Sequence, residues 1–166
     1  MENNKVVWSE GLFLRPQHLQ QQERYLERFV ELRAGSLRPY TWGFSELELE
    51  TDLLAIGKLG IKRARGVFPD GTPFDMPGDD PLPLALDVND NWRDQTVFLT
   101  LPLRSPAQPD SGRPEAPAEK LFRYRVRETE VRDASGSVDG LTVLEVGGLN
   151  SRLLPQSQPL EGLAQI

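Results

Sequence analysis

A regular stripe of apolar side chains runs from Pro16 to about Arg33 at the spacing of an α-helix. The stripe consists of Leu19, Tyr25, Leu26, Phe29, Val30 and Leu32. Proline suits the first position of a helix, and Gly35, followed by Ser36 and Pro39, is typical of a helix end. The pattern predicts one long helix over this segment. Such a stripe is more often the buried face of a helix than a binding surface.

Beyond Tyr40 the apolar residues recur at every second position, which is the period of a half-buried strand. Strands are predicted over residues 42–49, 59–68, 96–103, 121–132 and 141–146. Turns or loops are predicted over residues 69–72, 73–83, 105–118 and 133–140. In the first of these turns, Asp70 can bond back to the backbone and Gly71 can supply a positive φ. Successive strands with short turns predict a mainly β protein, an antiparallel β-sandwich with one N-terminal α-helix.

The N-terminal cluster is a dense group of apolar side chains ahead of the helix: Val7, Trp8, Leu12, Phe13 and Leu14. Residues 5–8 are predicted to form a short strand, and Gly11 interrupts the apolar run. Aromatic side chains beside an arginine have the composition of an interface anchor. The cluster docks onto the rest of its own domain, onto a copy of itself or onto another protein, and the residues leave these alternatives open. The predicted contact residues are Trp8, Leu12, Phe13, Leu14 and Arg15, with Pro16 and His18 shaping the start of the helix.

The composition narrows the class of protein. A chain of 166 residues forms one domain, or one domain and a fragment, and can bury a sizeable core. Its 14 glycines and 14 prolines favour the many turns of a β-rich fold. The formal net charge of −6 argues against nucleic acid as a partner. The sequence has neither an apolar run that could span a membrane nor a signal peptide, so we expect a cytoplasmic protein.

Residues that could carry catalysis or bind a metal are few. There is no cysteine and only one histidine, His18, so neither a thiolate site nor a multi-histidine site can be assembled. Residues 87–91 resemble the beginning of a calcium loop, but Trp92 and Phe98 stand where that loop needs a glycine and a carboxylate. Three aspartates could act as paired carboxylates, but they lie in a loop with no scaffold to set their spacing: Asp75, Asp79 and Asp80. We predict that the protein is not an enzyme and binds neither a cofactor nor a metal.

Two polar groups keep other binding functions open. Trp92 with Asp90 and Asp94 is a candidate for carbohydrate or receptor binding, because such sites combine an aromatic platform with carboxylates. Arginines alternate along one predicted strand, at Arg123, Arg125 and Arg127. They either attract an acidic partner or protect a sheet edge from aggregation, and the sequence favours neither role.

The stretch from Val7 to Tyr25 carries a long and unusual motif, Trp8-x-Glu10-Gly11-x-x-Leu14-x-Pro16-Gln17-His18. This motif closely resembles the N-terminus of the TssK (ImpJ/VasE) family, baseplate subunits of the bacterial type VI secretion system. Trp42-Gly43-Phe44 and the run Gly66–Thr72 are similar to the family as well. The family more often has phenylalanine where Leu19 stands, and beyond residue 75 the resemblance carries no motif.

The resemblance implies a structural adaptor without enzymatic activity. The family's N-terminal domain is a β-sandwich similar to the shoulder domain of siphophage receptor-binding proteins. Full-length subunits are homotrimers that link the baseplate to the membrane complex. The N-terminal domain is expected to dock onto the wedge proteins TssF and TssG, and a C-terminal domain to contact the membrane complex. The implied location is the bacterial cytoplasm, at the baseplate beneath the inner membrane.

The expected organisation has three parts. Residues 1–40 hold a strand or loop and a helix that packs on the sheet, residues 41–156 form the β-sandwich, and residues 157–166 begin a linker to a second domain. The linker is expected because prolines break the tail and the sequence suggests no partner for Leu163 and Ile166. Members of the family are much longer, so the chain resembles the N-terminal domain alone.

Overall fold

A computed structural model of the chain describes residues 3–37, 39–89, 91–113, 121–132 and 140–166. The chain divides into two compact units, Met1–Thr41 and Trp42–Ile166. Most of the predicted 133–140 connection and part of the predicted 105–118 loop lie outside the described residues.

The first unit contains α1, Pro16–Gly35, so the predicted long helix is confirmed. Arg15 precedes it with an extended backbone (φ −126°, ψ 154°), and the proline at the first position lacks an N–H that would have no partner there. At the other end, the Ser36 N–H donates to the Leu32 carbonyl at 3.3 Å. The Ser36 hydroxyl donates to the Arg33 carbonyl at 2.9 Å. These bonds satisfy carbonyls that the last turn of a helix leaves without a partner.

The predicted strand over residues 5–8 was wrong. In the described part of the chain these residues have no regular secondary structure and pair with no strand. Their β-forming side chains are not sufficient, because a strand also needs a neighbour for its backbone N–H and C=O groups.

The second unit is mainly β, and most of the predicted strands are confirmed. Its helix is α2, Thr51–Leu54. Its strands are β1 Gly43–Leu49, β2 Lys58–Leu59, β3 Ile61–Val67, β4 Pro73–Met76, β5 Leu86–Asp87, β6 Val97–Pro102, β7 Ser111–Gly112, β8 Tyr124–Arg132, β9 Leu141–Leu149, β10 Arg152–Pro155 and β11 Leu163–Gln165. They pair in the orders β1-β3-β4, β10-β6-β11, β2-β5 and β7-β8-β9. Among these pairs only β7 and β8 run parallel, over two residues.

The core joins the β1-β3-β4 sheet to the β10-β6-β11 sheet. Its buried apolar members are Ile61, Ala64, Phe68, Phe74, Met76, Leu99, Leu101, Leu149, Leu153 and Ala164. The rings of Phe68 and Phe74 lie 4.9 Å apart, and Phe44 meets Phe74 edge to face at 5.8 Å. Burying a large apolar side chain contributes about 1.5–3 kcal/mol, so this cluster fixes the packing of the two sheets.

The turn over residues 69–72 has the chemistry that the sequence predicts. The Thr72 N–H donates to Asp70 Oδ1 at 3.1 Å, and Gly71 has a φ of 86°. The Phe68 N–H closes the turn by donating to the Thr72 carbonyl at 2.8 Å. The turn delivers the chain from β3 into β4 in antiparallel register.

Three segments predicted to lie outside the sheets belong to them. Ser111–Gly112, in the predicted 105–118 loop, form β7, which pairs with β8. Residues 73–76, predicted as loop, form β4, because Phe74 and Met76 alternate into the core. The expectation that the tail has no partner was also wrong, since β11 pairs with β6 and Ala164 is buried. The Ile166 N–H donates to the Leu99 carbonyl at 3.0 Å, and the Leu99 N–H donates back at 2.9 Å.

Candidate functional site

The N-terminal segment, residues 3–15, turns sharply between Ser9 and Leu12. The Leu12 N–H donates to the Ser9 carbonyl at 3.2 Å, and Gly11 has a φ of 78°. Glycine adopts a positive φ without strain, whereas other L residues do so at a cost. A Cβ at Gly11 would have open space around it, so the need for glycine comes from the backbone alone.

Two contacts tie the N-terminal segment to the first turns of α1, and a bond within the helix supports one of them. The Gln21 side-chain amide donates to the Asn4 carbonyl at 2.8 Å. The Arg24 guanidinium donates to Gln21 Oε1 at 3.0 Å, which orients the amide toward Asn4. The rings of Trp8 and His18 lie with their centroids 6.4 Å apart. The segment therefore folds back along the helix.

His18 closes the start of α1. Its Nδ1 accepts a hydrogen bond from the Arg15 N–H at 3.0 Å, and its own backbone N–H donates to the Arg15 carbonyl at 2.9 Å. The first bond satisfies a backbone donor next to the start of the helix, where donors lack partners within the helix. Because Nδ1 acts as an acceptor, the neutral ring carries its proton on Nε2. His18 thus has a structural role at the beginning of the helix.

The predicted contact residues present apolar surface. Phe13 is 80% exposed and Val7 is 82% exposed. Three further members of the cluster are exposed to a smaller extent: Trp8, Leu12 and Leu14. Exposed apolar clusters of this kind mark interaction sites more often than scattered single side chains do. The structure brings the predicted contact residues together in one segment that ends at the start of α1.

The apolar stripe of α1 is exposed as well. No residue of this helix is buried, so the expectation that its stripe forms a buried core was wrong. Exposed members of the stripe are Leu19, Leu26, Phe29, Val30 and Leu32. Tyr25 stacks on Phe29 at 6.1 Å, and the Arg33 guanidinium lies 5.5 Å from the centre of the Phe29 ring. The helix therefore extends the apolar surface of the N-terminal segment.

Two residues that position the N-terminal segment were not predicted from the sequence. In the sequence pattern, Gln21 and Arg24 are typical of polar residues on the solvent-facing side of a helix. Their role depends on the turn at Gly11, which brings the chain back to the helix. The glutamine-rich beginning of α1 is the one signal in the sequence that could have indicated it.

The three alternating arginines make contacts within the fold. Arg123 lies just before β8, and Arg125 and Arg127 lie within it. Arg123 is buried, and its guanidinium donates to the Pro102 carbonyl at 2.6 Å, to Asp70 Oδ2 at 2.8 Å and to the Thr72 hydroxyl. Neither of the two predicted roles fits this side chain. It connects the turn after β3 to the end of β6.

Arg125 and Arg127 remain exposed and bond to neutral acceptors. Arg125 Nε donates to Asn150 Oδ1 at 2.7 Å, and an Arg127 guanidinium nitrogen donates to the Asp79 carbonyl at 3.2 Å. Protection of a sheet edge does not explain Arg125, because β8 lies between β7 and β9 at that residue.

The carboxylates of the 73–83 segment also have structural partners. Asp75 Oδ2 accepts a hydrogen bond from Arg65 Nε at 2.7 Å, and this bond raises the pKa of Arg65. Asp80 Oδ1 accepts from the Leu149 N–H at 3.1 Å, and its Oδ2 accepts from the Asp75 N–H at 3.4 Å. In the described residues, no group of three side chains could hold a metal ion. The arrangement offers no positioned acid and base pair for hydrolysis.

The carbohydrate-binding candidate has little structural support. Trp92 is half-buried, and its backbone N–H donates to the Asn89 carbonyl at 2.9 Å in a turn. Asp94 is exposed, and Asp90 lies outside the described residues. A half-buried indole is not the freely exposed platform that the prediction required.

Among the described residues, no helix is long and apolar enough to cross a membrane.

Known proteins match nearly the whole chain. The family model for bacterial type VI secretion proteins (VC_A0110, EvfL, ImpJ, VasE) matches residues 18–166. The type VI secretion system baseplate component TssK1 of Pseudomonas aeruginosa is 46% identical over 164 residues, which is 99% of this chain and 37% of that protein. The chain thus spans about a third of the length of this relative.

Solved structures give the same result for the fold. A crystal structure of TssK superposes with a TM-score of 0.90 at 37% identity, over 99% of this chain and 37% of that one. A chain of the TssK-TssF-TssG baseplate subcomplex, determined by cryo-electron microscopy, matches with a TM-score of 0.88 at 25% identity, over 99% of this chain and 55% of that one. Given these matches and the 46% identity to TssK1, the chain belongs to the TssK (ImpJ, VasE) family of bacterial type VI secretion proteins.

Proposed function

We propose that this chain is a structural part of a type VI secretion baseplate and docks onto a wedge made of TssF and TssG. The observation that carries the proposal is its likeness, over 99% of its length, to a chain of the TssK-TssF-TssG subcomplex. The 46% identity to a baseplate component supports the same assignment. An adaptor needs a binding surface and no catalytic site, and the exposed N-terminal segment supplies such a surface.

The docking residues in this proposal are Trp8, Leu12, Phe13, Leu14 and Arg15, on a frame set by Pro16 and His18. Phe13 is the strongest anchor, because it is 80% exposed and would lose most of its hydration on binding. Burying a large apolar side chain contributes about 1.5–3 kcal/mol. The turn at Gly11 and the Gln21–Asn4 bond hold the segment in one conformation before binding, which lowers the entropy lost on docking.

The proposal includes the architecture that the family resemblance implies. The subunit acts as a homotrimer, so three copies of the docking segment bind together and gain avidity. A second domain, outside this chain, contacts the membrane complex. The assembly works in the bacterial cytoplasm, beneath the inner membrane.

Size-exclusion chromatography with light scattering on mixtures with co-expressed TssF and TssG tests the docking. The informative variant is the double change Leu12→Asp/Phe13→Asp, whose fold is checked by circular dichroism. Leu84→Asp is a matched control, since Leu84 is 82% exposed in the second unit. We expect the wild type and the control to elute with TssF and TssG, and the double variant to elute alone.

Two results would contradict the proposal in different ways. If the folded double variant still elutes with TssF and TssG, the N-terminal segment is not the docking surface. If the wild type itself fails to bind, the adaptor role of this chain is wrong.

A further inference from the structure

His18 lies where the N-terminal segment meets α1. Its ring centroid is 6.4 Å from that of Trp8, and its Nδ1 accepts the Arg15 N–H at 3.0 Å. His18 is the only histidine of the chain, and imidazole is the side-chain group that ordinarily gains a proton as the pH falls from about 8 to about 5. The joint between the segment and the helix therefore contains a group that responds to mild acid.

The hydrogen bond between Arg15 and His18 exists only while the ring is neutral. Neutral imidazole keeps one nitrogen as an acceptor, whereas in the imidazolium both nitrogens carry a proton and donate. Protonation of His18 would therefore place two donors, the Arg15 N–H and the Nδ1–H, against each other. The new positive charge would also lie in the first turn of α1, where the helix dipole favours negative charge. Both effects act in the same direction and weaken the start of the helix.

The surroundings of the ring do not compensate for that loss. A cation–π attraction requires the charge to lie within about 6 Å of the ring centre, and the Trp8 and His18 centroids are 6.4 Å apart. The charged side chains on the segment and on the first two turns of α1 are Lys5, Glu10, Arg15, Glu23 and Arg24. Among the described residues, neither carboxylate of this set forms an ion pair with His18, and Arg24 donates to Gln21. An imidazolium would thus lack the counter-charge that favours its charged form.

The neutral imidazole fixes the end of the segment that carries the strongest anchor. It holds Arg15, whose backbone is extended (φ −126°, ψ 154°) and which follows Phe13 and Leu14 directly. The bond from the Gln21 amide to the Asn4 carbonyl, at 2.8 Å, joins two neutral groups and does not respond to pH. Mild acid therefore releases the segment at its anchor end and leaves it attached at its far end.

We propose that His18 is a pH-sensitive switch for the docking segment. With a neutral ring, the segment keeps the conformation that binds TssF and TssG; protonation of the ring frees Arg15 and Phe13, and docking weakens. The stabilising bond is complete at neutral pH and is lost as the pH falls and the ring takes up its proton. This switch depends on the proposed function and regulates that same site. Losing one hydrogen bond at a helix N-terminus corresponds to a change of about fivefold, and the released conformations lower the apparent affinity by the same factor.

NMR on the free 166-residue chain tests the switch itself, because a single histidine gives one unambiguous set of ring nitrogen signals. At about pH 7.5 the ring should carry its proton on Nε2. At about pH 5.5, where carboxylates stay mostly ionised, the protection of the Arg15 amide against hydrogen exchange should fall about fivefold. The Leu99 amide, which bonds to the Ile166 carbonyl in the second unit, should keep its protection and serves as the control.

The affinity for co-expressed TssF and TssG, measured by titration calorimetry at the same two pH values, tests the consequence for docking. The wild type should bind about fivefold more weakly at the lower pH. His18→Gln supplies an acceptor that can reach back to the same N–H and does not titrate, so its dissociation constant should change about fivefold less with pH than that of the wild type. His18→Ala removes the acceptor, so its affinity should be low at both pH values. Any titration within TssF or TssG affects all three chains alike and cancels when their ratios are compared.

Three outcomes would overturn the switch. They are a ring proton on Nδ1 at neutral pH, an Arg15 amide whose protection is the same at both pH values, and a wild type whose affinity changes with pH no more than that of His18→Gln. If binding at neutral pH persists in such a case, the proposed function stands. A chain whose Arg15 protection falls as expected but that binds TssF and TssG at neither pH contradicts the proposed function alone.

Discussion

Replacing the buried Arg123 should destabilise the second unit more than replacing any exposed arginine. Its side chain is 4% exposed and joins Asp70, Thr72 and the Pro102 carbonyl. The change Arg123→Met keeps most of the apolar length of the side chain and removes the guanidinium. Asp70 and the Pro102 carbonyl then lose the donor that compensates their burial.

The size of the effect follows from the burial of the partners. Removing one partner of a buried ion pair costs about 3–5 kcal/mol. Because the Asp70 side chain is 20% exposed, water can partly replace the lost donor, and we expect about 3 kcal/mol for Arg123→Met. A domain of ordinary stability, about 5–15 kcal/mol, remains folded after this loss.

Urea denaturation followed by tryptophan fluorescence measures the loss. With a slope of about 1–3 kcal/mol/M, the midpoint should fall by about 1–3 M at unchanged slope. Arg127→Met is the matched control, because Arg127 is exposed and makes one bond of 3.2 Å; its change should stay within about 0.5 kcal/mol. In a double-mutant cycle, Arg123→Met and Asp70→Asn should show a coupling of about 0.5–3 kcal/mol.

If Arg123→Met lowers the free energy of unfolding no more than Arg127→Met does, the buried guanidinium does not stabilise the second unit. A coupling energy near zero would show that Asp70 and Arg123 contribute independently, in which case the packing of the side chain, and not the ion pair, determines the effect.

Three further predictions concern glycines and one exposed ion pair. Gly66→Ala would place a Cβ against the Gly43 carbonyl oxygen and force β1 and β3 apart. The free energy of unfolding, measured by urea denaturation, should fall by about 1–3 kcal/mol. Gly11→Ala strains the turn by about 1–2 kcal/mol and should weaken binding to TssF and TssG without changing the unfolding midpoint of the second unit. The hydrogen bond to Glu48 raises the pKa of Lys62 above its ordinary value of 10.5, so this pair stabilises the fold below pH 10.5 and its contribution is lost as the pH rises further. Glu48→Gln should abolish that alkaline loss in pH-dependent denaturation.

Each of these predictions has its own control. Gly35→Ala has open space around the new methyl group at the end of α1. It should leave stability unchanged or raise it by up to about 1 kcal/mol, which separates a steric effect from a general effect of adding alanine. Equal binding by the Gly11→Ala variant would mean that the conformation of the turn does not matter for docking. An alkaline loss that survives Glu48→Gln would assign the pH dependence to another group.

Local patterns in the sequence predicted most of the fold because they report directly on local physics. The stripe in α1, the alternation in β3 and β8, and the Asp70–Gly71 turn each depend on a few consecutive residues. The strand over residues 5–8 failed for the opposite reason, since its side chains favour a strand and no neighbour pairs with it. Residues 163–165 failed likewise, because their partner in β6 lies about sixty residues away.

The candidate site was predictable in its residues and not in its geometry. The apolar composition around Phe13 indicated an anchor, and the structure places these side chains on an exposed segment. The bond from Gln21 to Asn4 joins residues separated by seventeen positions, and no periodic pattern reports on such a contact. Arg123 could not be told apart from Arg125 by sequence alone, since both occupy alternate positions of the strand predicted over residues 121–132. In the structure β8 begins at Tyr124, and of these two arginines only Arg123 is buried.

The position of β6 between β10 and β11 has a consequence for folding during synthesis. β6 is complete by residue 102, yet both of its neighbours come from residues 152–165. About fifty further residues must therefore be synthesised after β6 before its first neighbour, β10, begins, and about ten more before β11 begins. During this interval β6 has no hydrogen-bonded neighbour on either edge, although the β1-β3-β4 sheet that Leu99 and Leu101 pack against is already made. Unpaired strand edges are prone to aggregation, so synthesis that pauses before Leu163 should favour aggregation over folding.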